Sequence, residues 1–177
     1  MSTIYFVRHG ESQANVDGLF VGPHFPSPLT ANGREQARLA GEQIRAEGLA
    51  IDRIVASPLE RAKDTAVIIA QIIGFDPAAI HYDDRLTEYD MGILSSQPAE
   101  GVTPQQLVSA PNAEDPVVFQ RRVMDCVREM QALPGITLVV SHAGVGRIIQ
   151  AAKQGSNPRD FYALPGYRNA QVVKLEL

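Results

Sequence analysis

Tryptophan is absent from the 177-residue chain, cysteine occurs once, and aromatic residues make up only 6%. The lone Cys126 excludes an internal disulfide and fits a reducing compartment, so the expected location is cytoplasmic. No stretch approaches the roughly 18 consecutive apolar residues of a membrane span, and the first residues lack a signal-peptide pattern. Positive charge is in deficit: 16 Lys and Arg against 20 Asp and Glu leave a formal charge of -4. That balance excludes a broad basic face for nucleic acid or anionic lipid. Repeats, low-complexity tracts and domain linkers are missing too. What remains is a globular composition, 45% hydrophobic and 20% charged, long enough for one core. A single domain over residues 1–177 is expected, with the oligomeric state left open.

Apolar β-branched runs alternate with helical periodicity. Strands are expected at 3–8, 52–56, 136–141 and 170–176, with a weaker one at 79–82. A first helix should run from Leu29 or Thr30 to Glu47, stopped by Gly48 in the left-handed region. Ser57-Pro58-Leu59-Glu60 reads as a capping box that opens a second helix, with Pro58 first, Glu60 third, and the end at Gly74. Thr103-Pro104-Gln105-Gln106 repeats that logic for a short helix. Asp115-Pro116 opens a longer one whose Phe119, Val123, Cys126, Val127 and Met130 share a face. A last helix should begin after His142, while 15–28 and most of 91–102 read as loops. Such alternation predicts an α/β sandwich with a mostly parallel sheet.

The first strand runs without a break into Arg8-His9-Gly10. A charge at the end of a buried strand is costly unless it meets a counter-ion or water. In folds of this kind ligands sit beyond the carboxyl ends of the strands. Ser57 falls at the second such end and starts the helix that carries Arg61; Ser141-His142-Ala143-Gly144 follows the third. Glu88, in R-L-T-E-Y-D-M-G, follows the weak strand through a loop. Arg8 and His9 alone could be a surface ion pair. With Arg61, His142 and Glu88 on one rim, the set suits a phosphoryl group.

Arginine forks bind phosphate oxygens bidentately, each charge-assisted bond worth ~1.5–3 kcal/mol. Helix N-termini after 57 and 142 add N–H donors, and Gly10 and Gly144 should let the backbone approach the ligand. A neutral His9 is then a candidate nucleophile that forms a phosphohistidine. His142, if protonated, would donate to a phosphate oxygen in the transition state. Glu88 would protonate the departing oxygen and later take a proton from the attacking water. The positive charge present makes a metal unnecessary, and no cofactor is expected.

These blocks resemble the histidine phosphatase superfamily, also called phosphoglycerate-mutase-like. Its hallmark stands here as Arg8-His9-Gly10-Glu11-Ser12, followed by Asn15. P-L-T-A-N-G-R-E-Q-A (28–37), S-P-L-E-R-A-K-D-T-A (57–66), L-T-E-Y-D-M-G (86–92) and S-H-A-G (141–144) are similar to further family blocks in the family's order, and N-A-Q-V-V-K-L (169–175) to its closing edge strand. The resemblance implies a three-layer α/β/α sandwich. It implies a phosphate pocket of Arg8, His9, Arg61 and His142, with His9 phosphorylated and Glu88 as acid and base. Asn15 and the backbone N–H of Ala143 are implied as further phosphate donors.

The chain departs from the family in I-L-S-S-Q (93–97), where many family phosphatases have Trp-Glu-Gly, which leaves the substrate rim unfamiliar. It departs also in two features that bear on the mutase activity. Mutases of the family typically carry Glu-Arg-x-Tyr-Gly around the proton donor, where this chain has Glu88-Tyr89-Asp90-Met91-Gly92. The short cap-like segment 93–114 also contains no lysine or arginine to hold a second acidic group. Both favour a phosphatase acting on a small phosphorylated metabolite. A mutase, a phosphohistidine-protein phosphatase and a non-catalytic phosphate-binding module are the alternatives. A serine-hydrolase reading of Gly10-Glu11-Ser12-Gln13-Ala14 leaves both arginines unexplained.

Bland roles suit the other polar residues. His81 beside Asp83 and Asp84 reads as a hydrated turn rather than a metal site, and Cys126 as core. Arg121 and Arg122 read as a solvated helix face, and Thr65 and Gln36 as local packing or capping.

Overall fold

A computed structural model describes residues 2–176; the first and last residues of the expected 1–177 domain lie outside the described residues. Five strands form one sheet: β1 (Ser2–Arg8), β2 (Arg53–Ala56), β3 (His81–Tyr82), β4 (Gly135–Ser141) and β5 (Val172–Leu175). Their order is β3-β2-β4-β1-β5, and only β5 runs antiparallel to its neighbour. Every expected strand is present, the weak one reduced to two residues.

The helices are α1 (Gln13–Val16), α2 (Ala31–Ala46), α3 (Glu60–Ile73), α4 (Pro104–Val108), α5 (Pro116–Gln131) and α6 (Ala143–Gln154). Side-chain alternation along the strands assigns them to two layers. Ile4, Phe6, Val55 and Val139 pack against α5 and α6 on one face. Val7, Ile54, Ala56, Leu138 and Val140 pack against α2 and α3 on the other. The three-layer sandwich follows from this alternation on strands buried on both sides.

Local chemistry explains most boundaries. Thr30 Oγ1 accepts from Gly33 N at 2.9 Å to cap α2, and Thr103 with Gln106 forms the expected capping box on α4. Asp115 caps α5 by accepting from Val117 N at 2.7 Å. Gly74, at φ 74°, ends α3 in the left-handed region. The expected start of α3 is corrected. The N-cap is Leu59 rather than Ser57; the Ser57 hydroxyl instead accepts from Leu59 N at 3.3 Å and pairs with the His142 imidazole at 2.8 Å. The expected loop at 15–28 is corrected at its start, where Asn15 and Val16 belong to the single turn of α1. The 93–114 segment is stitched to residues 18–20: Phe20 N donates to Gln97 O at 2.9 Å and Ala99 N to Gly18 O at 2.9 Å.

Candidate active site

Register brings the two histidines together. Arg8 and Ser141 are direct partners in the β1–β4 ladder, so the next residues of both strands, His9 and His142, leave the sheet side by side. Their ring centroids lie 5.3 Å apart. Arg61 in the first turn of α3, and Glu88 in the loop after β3, close on the same rim. His9, Arg61, Glu88 and His142 are 4%, 3%, 6% and 0% exposed, a density of ionisable groups that an apolar core does not tolerate without a ligand or partner.

His9 Nδ1 lies 2.7 Å from Gly10 O. A carbonyl only accepts, so Nδ1 carries the proton and Nε2 keeps its lone pair. Burial, then the guanidinium charges of Arg61 and Arg8, hold this imidazole well below its ordinary value. It is therefore neutral at pH 7. His142 is likewise held well below its ordinary value by burial, then by Arg61, His9, Arg8 and Arg122. That direction favours the neutral ring, whereas the donation expected of His142 depends on a protonated one. Its Nε2 pairs with Ser57 Oγ, and its Nδ1 is buried without a partner.

The arginines are under-compensated. Arg61 Nη2 donates to Val21 O at 3.2 Å, and Arg8 Nη1 to Tyr167 O at 3.0 Å, with Arg8 Nε buried and unpartnered. Burial lowers both guanidinium pKa values and Glu88 opposes this; Arg147 lowers Arg8 further, and Arg8 lowers Arg61 further. Two cations facing one carboxylate, beside neutral imidazoles, leave a site that favours an anion.

Asn15 is aimed by its neighbours. Its Oδ1 accepts from Ser12 N at 3.1 Å and from Asn169 Nδ2 at 3.2 Å. With the oxygen so engaged, the amide Nδ2 is the group left to donate. Asn169 also donates to His9 O at 2.9 Å; it tethers the Arg8-His9 loop to the lead-in of β5, a role no local signal in the sequence announces. Thr65 Oγ1 accepts from Gly10 N at 3.0 Å, and Gln36 Oε1 from Glu11 N at 2.8 Å, so both do act locally, but on the site's own loop.

The two glycines are also required by the packing of the protein itself. A β-carbon at Gly10 would fall 2.3 Å from Gly33 O, and one at Gly144 would fall 2.1 Å from Glu88 Oε1. Their bareness thus accommodates α2 and the Glu88 carboxylate. Gly144 N, in the first turn of α6, donates to Glu88 Oε2 at 3.2 Å.

Arg8, His9, Asn15, Arg61, Glu88 and Ala143 line one cleft of about 70 Å³. The His142 ring adjoins this cleft through its contact with the His9 ring. The remaining walls are largely apolar, among them Phe20, Val21, Met91 and the Tyr162 ring. No group of three or more His, Cys, Asp or Glu among the described residues is arranged to hold a metal ion. No helix among them is long and apolar enough to cross a membrane.

Arg122 is not on a solvated face. Its guanidinium forms a bidentate pair with Glu114 at 2.7 and 2.9 Å, and Nη1 donates to Arg85 O at 2.8 Å and Thr87 O at 2.9 Å. The solvated-face reading is corrected because the loop carrying Glu88 covers this part of α5. Cys126 is buried as expected, its thiol pushed up to about 12 chiefly by burial.

A parallel α/β sheet with this histidine pair at its carboxyl rim defines a class. The chain belongs to the histidine phosphatase superfamily, branch 1, which its residues 4–177 match. Over 106 residues it is 44% identical to the probable phosphoglycerate mutase GpmB of Salmonella choleraesuis, covering 60% of this chain and 46% of that protein. It therefore spans about half the length of the curated relatives it matches. Among solved structures it is similar to the alpha-ribazole phosphatase from Shigella flexneri, with 27% identity, a TM-score of 0.78, and 99% and 90% of the two chains covered. It is also similar to a mycobacterial glucosyl-3-phosphoglycerate phosphatase in complex with VO3, with 25% identity, a TM-score of 0.81, and 99% and 93% covered.

Proposed function

We propose that the chain is a metal-independent phosphomonoesterase acting on a small phosphorylated metabolite through a phosphohistidine. The observation that carries this reading is the His9 tautomer: an Nδ1–H fixed on Gly10 O and a free Nε2 beside two under-compensated guanidiniums. In the first step the Nε2 lone pair attacks phosphorus, the bond from phosphorus to the leaving oxygen breaks, and Glu88 delivers a proton to that oxygen. In the second, water attacks phosphorus, the P–N bond breaks, and Glu88 takes the proton back. Arg8, Arg61 and Asn15 hold the three equatorial oxygens, and His142 supplies a further donor.

Hydrolysis is favoured over a mutase reaction by what lines the cleft. Arg8 and Arg61 are the lysine or arginine residues among its described lining residues, and both serve the transferred phosphate. A bisphosphate or phosphoglycerate would leave its second acidic group against Phe20, Val21, Met91 and Tyr162. The preferred leaving group is accordingly one without a second anionic group. The mutase reading rests on the 44% identity to the Salmonella protein and is separated by the same experiment.

Incubation with p-nitrophenyl phosphate in EDTA should release p-nitrophenolate, and rapid acid-free quenching should trap a phosphorylated chain by intact mass. His9→Ala should remove both signals. A phosphoenzyme that returns its phosphoryl group to phosphoglycerate faster than to water would establish the mutase instead. Absence of turnover from pH 5 to 8, with phosphate still bound, would leave a binding module.

A further inference from the structure

The loop that carries Glu88 is held from behind by one guanidinium. Arg122 reaches it with both terminal nitrogens: Nη1 on the carbonyls of Arg85 and Thr87, Nη2 on the carbonyl of Glu88 itself at 3.2 Å. The remaining donors engage Glu114 bidentately, and the plane lies over the Phe119 ring, 4.6 Å from its centroid. Glu114 in turn grips the other end of the loop. Its N–H donates to Asp90 O at 2.9 Å, and its carbonyl accepts from the Tyr89 hydroxyl. The four consecutive residues 87–90 are thus tied to one ion pair on α5 and its N-terminal lead-in.

On the active-site side the Glu88 carboxylate has, among the described residues, two anchors: the N–H groups of Tyr89 at 2.8 Å and Gly144 at 3.2 Å. One of these belongs to the clamped loop itself. Two backbone donors do not fix a carboxylate whose main chain is free to move. Arg122 and Glu114 supply the missing constraint without touching substrate.

We propose that Arg122, paired with Glu114, is a positioning residue that fixes the Glu88 carboxylate for proton transfer to the leaving oxygen. The inference rests on the reading of Glu88 as acid and base. Its consequence is selective: a substrate whose leaving group needs a proton depends on this alignment, and one that departs as a stable anion does not.

The test compares kcat/KM for phenyl phosphate and for p-nitrophenyl phosphate in Arg122→Met, Arg122→Lys, Glu114→Gln and Glu88→Gln. Arg122→Met should lose about tenfold or more on phenyl phosphate beyond its loss on p-nitrophenyl phosphate, the size of a misaligned proton donor. Lysine, with donors but no planar fork, should restore part of that ratio. Should Arg122→Met fail to fold by circular dichroism, Glu114→Gln carries the test and should shift the ratio in the same sense. Equal losses on both substrates would make the pair a merely structural brace and overturn the proposal. If Glu88→Gln also leaves the ratio unchanged, the acid role itself falls; if Glu88→Gln shifts it and the Arg122 and Glu114 variants do not, only this inference falls.

Discussion

Gly144 and Glu88 fit together because a methyl group is missing. The Gly144 N–H donates to Oε2 of Glu88 at 3.2 Å, while a β-carbon on Gly144 would fall 2.1 Å from Oε1. The start of α6 therefore serves as the seat of a carboxylate contributed by a loop 56 residues earlier.

Gly144→Ala should displace that carboxylate while leaving the phosphate contacts intact. Turnover of phenyl phosphate should fall by about 10²-fold, the usual cost of an ångström of misplacement. The inhibition constant of vanadate should change little. A parallel loss of vanadate binding would show that the substitution had collapsed the pocket instead.

Arg61→Ala removes a buried cation from the cleft proposed to hold the transferred group, and activity should drop by about 10²–10³-fold. Arg61→Lys should recover little of it, because a lysine presents a point charge and not a planar fork. Steady-state kinetics on p-nitrophenyl phosphate suffices; near-complete recovery by lysine would deny the bidentate role.

Asn15→Asp keeps the acceptor that Ser12 and Asn169 use but replaces the free Nδ2 donor with an anionic oxygen. KM for p-nitrophenyl phosphate should rise by at least about tenfold through repulsion of the dianion. An unchanged KM would remove Asn15 from the phosphate site.

Stability should respond to acid through the two buried imidazoles. Both folded values lie well below the ordinary one, so the unfolded chain binds protons that the folded site refuses. Their contribution is intact above about pH 6.5 and is lost as pH falls below it, by up to about 1.4 kcal/mol per pH unit for each ring. Thermal midpoints measured from pH 7.5 to 5.0 should decline, with a shallower slope in His142→Asn. A slope identical in the variant would indicate that other groups carry the effect.

The fold was legible wherever local signals were strong. Apolar runs rich in β-branched residues marked four of the five strands, with β3 signalled only weakly, and Thr30, Thr103 and Asp115 marked helix starts through chemistry confined to three or four residues. The same logic misplaced the start of α3, where Ser57 makes its hydroxyl available to a histidine 85 residues away. Arg122 was misread for a related reason: its helix period says which face it occupies, but not that a loop lies over that face.

What the sequence determined by itself is the inventory. It held the two arginines, two histidines and one carboxylate, their places at strand ends, and a charge balance that confines positive potential to one small site. Tertiary structure decided the protonation states and the alignments. Those depend on burial, on the Gly10 carbonyl facing Nδ1, and on Arg122 reaching across to the Glu88 loop. Solvent exclusion and distance are properties of the packed chain, and no order of residues states them until the sheet register has brought the parts into contact.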